Sequence, residues 1–564
     1  MNTLLLNLFI LLLFAHISCF LLLLPVSAKV FLSIDCGSLS LEPRTDDNSI
    51  VWVGDGPYIQ TGETHTANAP TDIPGFDSKV MSTLRAFPAR NKNCYSIDID
   101  SKSDDNTTVD RVLVRANFYY GNYDKKSIPP TFSLQFNGNN WKEIVTGMEN
   151  IVYEEVVFSL KKGKNINVCL AQTQPDNTPF ISALEVRSLD SDAYNYVPSD
   201  YPLMFINRTA FGSNTVIRYP EDSFDRIWGS YALNITRALI RVRSNSPSIN
   251  VNVEDKPPEA VLRTTLTSNI KTSEGMSYRR TRNLTVPIHL NAYFSEVIKL
   301  NSTQKRSFDI IVNNNLDNSI ILPKGPVVPP YGGTLKVHIR NMTTFNSSLF
   351  IVLKRTNDST LPPLINALEE FIIGDKLAQG TNSNDVEALG LLQKSFIQLQ
   401  DWTGDPCLPS PFTWDWVTCN DDTDSPRITG LYLNDLGLAG RLPDFSAMDA
   451  LKTINLRNNS LMQEIPEFLG TFPELTELNL ADNNFSGTIP SSLSNNSNLK
   501  MNVSGNPNLC TNTSTCDTES RIPSPGNKNT DTETRTPSPN NGKSSKTSEQ
   551  LIIILLIMFS GLLL

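Results

Sequence analysis

Between Arg427 and Asn506 leucine-type residues recur in a fixed frame, in which three apolar positions are followed by an asparagine and one more apolar residue. The frame reads Ile428/Leu431/Leu433, then Leu451/Ile454/Leu456/Asn459/Leu461, then Leu475/Leu478/Leu480/Asn483/Phe485, and it starts again at Leu499. Starts spaced 23–24 residues apart predict stacked coils, each giving one short strand to a shared parallel sheet and burying its leucines against its neighbours. The asparagine is expected to satisfy backbone groups at the turn. From Val30 to about Ile373 the pattern changes to β-rich runs of period two. Examples are Val30–Ile34, Val112–Tyr120, Thr131–Phe136, Val156–Leu160 and Ile166–Leu170, separated by Gly, Asn, Asp and Pro clusters. Many short strands predict sandwiches, and the length of the stretch predicts two of them packed together, with a seam near Tyr196–Pro202.

The second half of each coil, Leu438–Pro443, Leu461–Pro466 and Phe485–Pro490, resembles the L-x-G-x-I-P half-repeat of plant extracellular leucine-rich repeats. Open ends of so short a solenoid expose leucines unless covered. Cys407 and Cys419, with Trp402, Trp414 and Trp416 around them, precede the first coil, and Cys510 and Cys516 follow the last. Both pairs read as disulfide-closed caps; a zinc site is the alternative, for which no second close Cys pair or nearby His is present.

Leu4 to Leu24 is almost continuously apolar and ends in Pro25-Val26-Ser27-Ala28, which fits a cleaved signal peptide over residues 1–28. The run is also long enough to serve as an uncleaved anchor. Export predicts glycans, and N-x-S/T triplets stand at Asn106, Asn207, Asn234, Asn283, Asn301, Asn341, Asn346, Asn357, Asn458, Asn484, Asn495, Asn502 and Asn512. Residues 517–550 are rich in Ser, Thr, Pro and Asn and read as a stalk. Leu551–Leu564 is apolar and, as a helix, about 21 Å long, short of the roughly 30 Å hydrocarbon core. Polar spacer plus apolar tail fits a GPI-attachment signal with Asn540 as the acceptor; a short tail anchor is the alternative.

The chain has 564 residues and a formal net charge of −10. With no basic stripe to offset it, that charge argues against nucleic acid as a partner. The mature histidines His65, His289 and His338 are far apart in sequence and lack Cys, Ser or metal-type partners at motif spacing, so neither catalysis nor a metal or other cofactor is expected. Cys36, Cys94 and Cys169 leave one cysteine of the β-rich region without a partner, and sequence does not choose which.

The segments Asp35-Cys-Gly37, Trp52–Tyr58, Thr83–Pro88, Asn93-Cys-Tyr95, Arg115–Asp124, Thr178–Glu185, Ile217–Asp222, Phe224–Trp228, Leu361–Glu369 and Asp385–Leu399 occur in one order, followed by Trp402-Thr-Gly-Asp-Pro-Cys407. They resemble the ectodomain of plant malectin-like/leucine-rich-repeat receptors, including the symbiosis receptor kinases. The resemblance implies a mostly β protein: tandem malectin-like β-sandwiches (29–197 and 198–373), a junction and cysteine cap (374–426), a plant-type leucine-rich-repeat solenoid (427–507) and a second cap (508–516). Those receptors continue through a membrane helix into a kinase, whereas here the expected stalk and tail follow Cys516.

Resemblance to animal malectin implies that Tyr119 and Tyr120 contact sugar, with Asn122, Tyr123 and Asp124 as polar neighbours, on the expectation that these rings are exposed. The repeat face offers a second site, formed by Tyr432, Asn434, Asn455, Arg457, Asn479 and Asp482. The expected protein is a plasma-membrane, non-catalytic receptor-like or co-receptor glycoprotein facing the wall. It would take a carbohydrate or peptide ligand and act through a transmembrane receptor kinase. A wall-associated carbohydrate-binding protein without signalling is the alternative.

Overall fold

A computed structural model describes residues 30–99, 111–160, 165–231, 239–270, 275–281, 287–313, 319–343 and 348–510. The expected signal peptide, Cys516, the stalk, the apolar tail, Asn540 and the triplets at Asn106, Asn234, Asn283, Asn346 and Asn512 lie outside these residues.

One sheet of eleven strands runs through the whole β-rich region. Its path is Arg44–Thr45, Val51–Gly54, Phe31–Asp35, Ala183–Leu189, Arg111–Tyr119, Ile151–Ser159, Leu203–Ala210, Ala367–Ile373, Pro287–Phe294 and Leu335–Thr343, with Gly229–Ser230 paired off the path. In its first half, Val112, Val114, Ala116 and Phe118 face Leu134, Phe136, Val168 and Leu170, which come from a smaller sheet. In its second half, Leu290, Ala292, Phe294 and Leu368 face Phe308, Ile310, Ile351 and Leu353. The two cores therefore belong to two lobes, and the lobes meet where Ile151–Ser159 pairs with Leu203–Ala210 through Val156/Met204 and Val157/Leu203.

Period-two alternation normally marks a strand with one wet face. Here all nine residues of Arg111–Tyr119 are buried. The second face of the shared sheet is roofed by Tyr194, Val197, Phe224 and their neighbours, and its polar residues form a continuous row. Across adjacent strands the row reads Ser33, Glu185, Arg115, Glu155 in the first lobe. It continues as Arg208, Glu369, Asn291, His338 in the second. Signs alternate along most of this row, so each charge meets an opposite one at the cross-strand distance.

Residues 428–510 form stacked coils. Ile428–Tyr432, Thr453–Asn455, Glu477–Asn479 and Lys500–Asn502 pair in parallel, and Val417–Cys419 closes the sheet in antiparallel. The repeated asparagines do what their spacing predicts. Asn483 donates to Leu456 O at 2.9 Å and accepts from Leu461 N at 3.0 Å. Asn506 repeats this with Leu480 O at 2.9 Å and Phe485 N at 3.0 Å. Helix Ser383–Ser395, capped by the Asn382 side chain on Asn384 N, lays Ala388, Leu389 and Leu392 on the first coil. Its buried Asp385 receives a two-pronged Arg427 guanidinium at 3.0 Å and Ile428 N at 2.8 Å. The structure joins Cys407 to Cys419, and Cys510 is disulfide-bonded.

The Gly-Asp-Pro-Cys segment locks this cap to the first lobe. A Cβ on Gly404, whose φ is +79°, would lie 2.5 Å from Cys94 Sγ and 2.9 Å from Cys169 Sγ, so only glycine fits over the Cys94–Cys169 disulfide. Asp405 shapes the turn by accepting from Cys407 N and Leu408 N at 2.9 and 2.8 Å. Lys92, buried in the first lobe, donates to Asp405 O, Leu408 O and Phe412 O at 2.7, 2.7 and 3.1 Å. Arg90 lies over the Trp402 ring at 4.3 Å. The open question about the β-rich cysteines is thereby answered: Cys94 pairs with Cys169, and Cys36 is free and buried.

Candidate binding surfaces

The Tyr119–Asp124 segment does not present the exposed rings expected of it. Tyr119, at the end of its buried strand, is 3% exposed, and Tyr120, just past it and against Phe180 and Tyr123, is 0%. The Tyr119 hydroxyl donates to Asn68 O at 2.9 Å, and the Tyr120 hydroxyl to Asp124 at 2.6 Å. Burial, with Asp124 beside it, pushes the Tyr120 hydroxyl up to about 12. Asn122 accepts from Ser127 N at 2.8 Å and Asp124 from Lys126 N at 3.1 Å, so the polar side chains hold their own loop. Tyr123 packs on Phe180, Tyr120 and His65. The expectation of an aromatic sugar platform here is corrected: as folded, these two rings are core.

The repeat face is placed as the spacing implies. Tyr432, Asn455 and Asn479 stand in one row across the parallel strands, and Asn502 extends it. Tyr432 is 41% exposed. Arg457 pairs with Asp482 at 3.0 Å, both exposed, and Asn455 donates to Asn434 at 3.1 Å. The triplet asparagines Asn301, Asn357, Asn458, Asn484, Asn495 and Asn502 are exposed. Asn207 is half-buried in its strand and donates to Thr209 Oγ1 at 2.6 Å; Asn341 lies within the strand Leu335–Thr343.

Two features escaped the sequence. The first is the roof over the shared sheet. The segments Ile217–Asp222 and Phe224–Trp228 fold back through the Ile217/Trp228 bridge and lower Asp225 onto Arg115, Arg187 and Arg218. Burial alone would raise the Asp225 carboxyl, but Arg218, Arg187 and Arg115 hold it well below the usual range. Glu155 bridges the lobes, receiving Arg115 Nε at 2.8 Å and Arg208 Nη1 at 3.0 Å. Against the same burial penalty, Arg208 and Arg226 bring Glu369 down to about 2. The second is a histidine pair. His289 and His338 lie far apart in sequence, yet strand pairing brings their rings to 4.1 Å, tilted to one another, with His289 stacked on Tyr196. Burial, then His338, Lys336 and Arg340, push His289 down to about 2. Among the described residues no group of three or more His, Cys, Asp or Glu side chains converges as a metal would require.

Beside the roof a cleft of about 630 Å³ opens between the lobes, with Asn48 and Gly75 on one wall and Val216, Tyr219, Glu221 and Arg243 on the other. Among the described residues no helix is long and apolar enough to cross a membrane.

The malectin-like domain model matches residues 34–373. The chain is 32% identical over 425 residues to the Arabidopsis thaliana probable LRR receptor-like serine/threonine-protein kinase At1g05700, covering 73% of this chain and 46% of that protein. It is 31% identical over 379 residues to the Arabidopsis thaliana uncharacterized protein At1g24485, covering 66% of this chain and 70% of that one. The chain thus spans about half the length of many of the curated relatives it matches. In fold it is similar to the crystal structure of the ANX2 ectodomain from Arabidopsis thaliana, with a TM-score of 0.51 at 16% identity over 61% of this chain and 97% of that one. The chain therefore belongs to the malectin-like domain family, among the leucine-rich-repeat receptor-like proteins.

Proposed function

We propose that this chain is the ligand-recognising part of a cell-surface receptor-like or co-receptor glycoprotein, non-catalytic and acting through a membrane partner. It comprises two malectin-like sandwiches (29–197 and 198–373), a cysteine-closed junction and a short leucine-rich-repeat solenoid (427–507). The observation that carries the reading is the polar row of exposed Tyr432 and half-buried Asn455 and Asn479, held on a solenoid that Lys92 and Gly404 lock to the first lobe. A rigid, solvent-facing stripe suits docking of a protein surface, because little ordering entropy opposes binding. The membrane partner is a transmembrane receptor kinase. Export, glycans on the exposed triplets and a lipid tether at Asn540 belong to the same proposal, and phospholipase release from intact membranes tests the tether.

The second reading, a wall-associated carbohydrate-binding protein without signalling, is favoured by the polar cleft between the lobes. Cross-linking of the full chain on intact plasma membranes, followed by identification of the captured proteins, separates the two. The receptor reading predicts capture of a membrane kinase that is lost on Tyr432→Ala combined with Arg457→Ala. Capture of cell-wall polymer alone contradicts it.

A further inference from the structure

We propose that the junction between the first lobe and the cysteine cap holds a binding site for a small neutral molecule built on one or two aromatic rings. The proposal stands apart from the recognition reading above and needs neither a membrane partner nor the repeat face. A pocket of about 220 Å³ lies where Gly404-Asp405-Pro406 meets the ends of the strands Thr131–Phe136 and Ile151–Ser159. An apolar cavity of about 150 Å³ is enough to hold benzene, so this volume takes one ring or two fused rings. Its apolar wall joins four separate parts of the chain: Phe136 and Phe158 from the lobe, Leu377 from the linker, Val386 from the helix Ser383–Ser395 and Pro406 from the cap. The Phe136 and Phe158 rings lie 4.9 Å apart and tilted by 40°, an arrangement that a third ring extends by edge-to-face or offset packing.

The walls are fixed before a ligand arrives. Leu377 N donates to Asp200 O at 2.8 Å and Ala378 N to Asn139 Oδ1 at 2.9 Å, which ties the linker to the lobe, and Thr381 N donates to Asp405 Oδ2 at 2.8 Å, which ties it to the cap. Little ordering entropy then opposes binding. The charge of the lining sets the ligand class. Among the described residues that line the pocket only Asp405 ionises, and its oxygens already accept from Thr381, Cys407 and Leu408. An anion is repelled by that carboxylate, and a cation finds its oxygens occupied. Asn137 and Asn139 are held within the fold, where they accept from Asn167 N and Ala378 N. The side-chain amides of half-buried Asn167 and exposed Gln379 make no hydrogen bond among the described residues, so each can engage an amide, carbonyl or hydroxyl on the ligand. Val386, 43% exposed, marks the open mouth.

Titration calorimetry of the full chain tests the proposal, with phenylacetamide and indole as neutral probes and phenylacetate and phenethylammonium as charged ones. We expect saturable binding of at least one neutral probe at millimolar concentration or below, about tenfold tighter than either charged probe and unchanged by salt. Val386→Arg sets a long charged side chain at the mouth and should weaken binding by about tenfold or more, and Gln379→Ala should weaken it about fivefold through one lost hydrogen bond. Both positions are exposed, so the melting temperature should be unchanged, and Arg243→Gln in the cleft between the lobes should leave binding intact. A ligand that touches lobe and cap together should also slow hydrogen exchange at residues 403–408. The proposal is overturned if neither neutral probe binds, if a charged probe binds as tightly, if binding survives both folded variants, or if a bound probe leaves exchange at residues 403–408 unchanged.

Discussion

The solenoid and the paired lobes are both built from short strands, yet they hold themselves together by opposite means. Each coil of the solenoid uses one neutral amide, such as Asn483, to satisfy backbone groups of its own and the preceding coil. The contacts are local and repeat with the sequence. The lobes instead bury a row of full charges, from Glu185 through Arg115, Glu155 and Arg208 to Glu369, across a seam where the strands pair at Val156/Met204 and Val157/Leu203. Buried charges gain little over apolar replacements when complete, but removing one partner is expensive because it strands the others. The comparison teaches that the solenoid should fail coil by coil, whereas the lobes should fail together.

Glu155→Gln breaks the comparison most severely. It leaves Arg115 and Arg208 with less negative charge between them and is expected to cost about 3–5 kcal/mol in denaturant titration. A loss below about 1 kcal/mol would mean that the charges are not the seam. Lys92→Met should follow, at about 3 kcal/mol, because three carbonyls of the cap lose a charged donor; increased proteolysis at residues 403–413 is the specific readout. Asn483→Ala is expected to cost about 2 kcal/mol through unsatisfied Leu456 O and Leu461 N. Hydrogen exchange should rise in the coils on either side and not in the lobes.

An effect of similar size concerns pH and sharpens the comparison. The unfolded imidazole titrates near 6.5, whereas His289 is pushed down to about 2 and His338 to about 3, the latter by burial and then Lys336 and Arg340. Below about pH 6.5 the unfolded chain therefore binds more protons than the folded one, and stability falls with pH. Between pH 7 and pH 5 His289 should account for about 2 kcal/mol, with a smaller share from the less buried His338. Glu369, held at about 2, pulls in the same direction below about pH 4.5. Neither ring nitrogen of His289 has a hydrogen-bond partner among the described residues, so His289→Phe should keep the stack on Tyr196 and flatten the dependence. An unchanged slope in that variant would contradict the assignment.

How legible each region was follows from the same contrast. The coils could be read from leucine and asparagine spacing because their partners lie one repeat away. The lobe strands could be read from alternation. The alternation of Arg111–Tyr119 could not reveal that a roof from residues 217–228 covers its polar face, nor that Asn68 and Phe180, from distant segments, come against Tyr119 and Tyr120. His289 and His338 meet only through strand register, which no local signal carries. The Gly-Asp-Pro-Cys segment was visible as a motif, but the reason for its glycine, the Cys94–Cys169 bond beneath it, depends on the docked cap.

Native-state hydrogen exchange on the wild-type chain and on Glu155→Gln tests the central claim most directly. The account predicts that the variant loses protection in the same step at Arg111–Tyr119 and Ile151–Ser159 in one lobe and at Leu203–Ala210 and Ala367–Ile373 in the other, while Glu477–Asn479 in the solenoid keeps its protection. Loss confined to one lobe, or spreading equally into the solenoid, would contradict a shared charge seam.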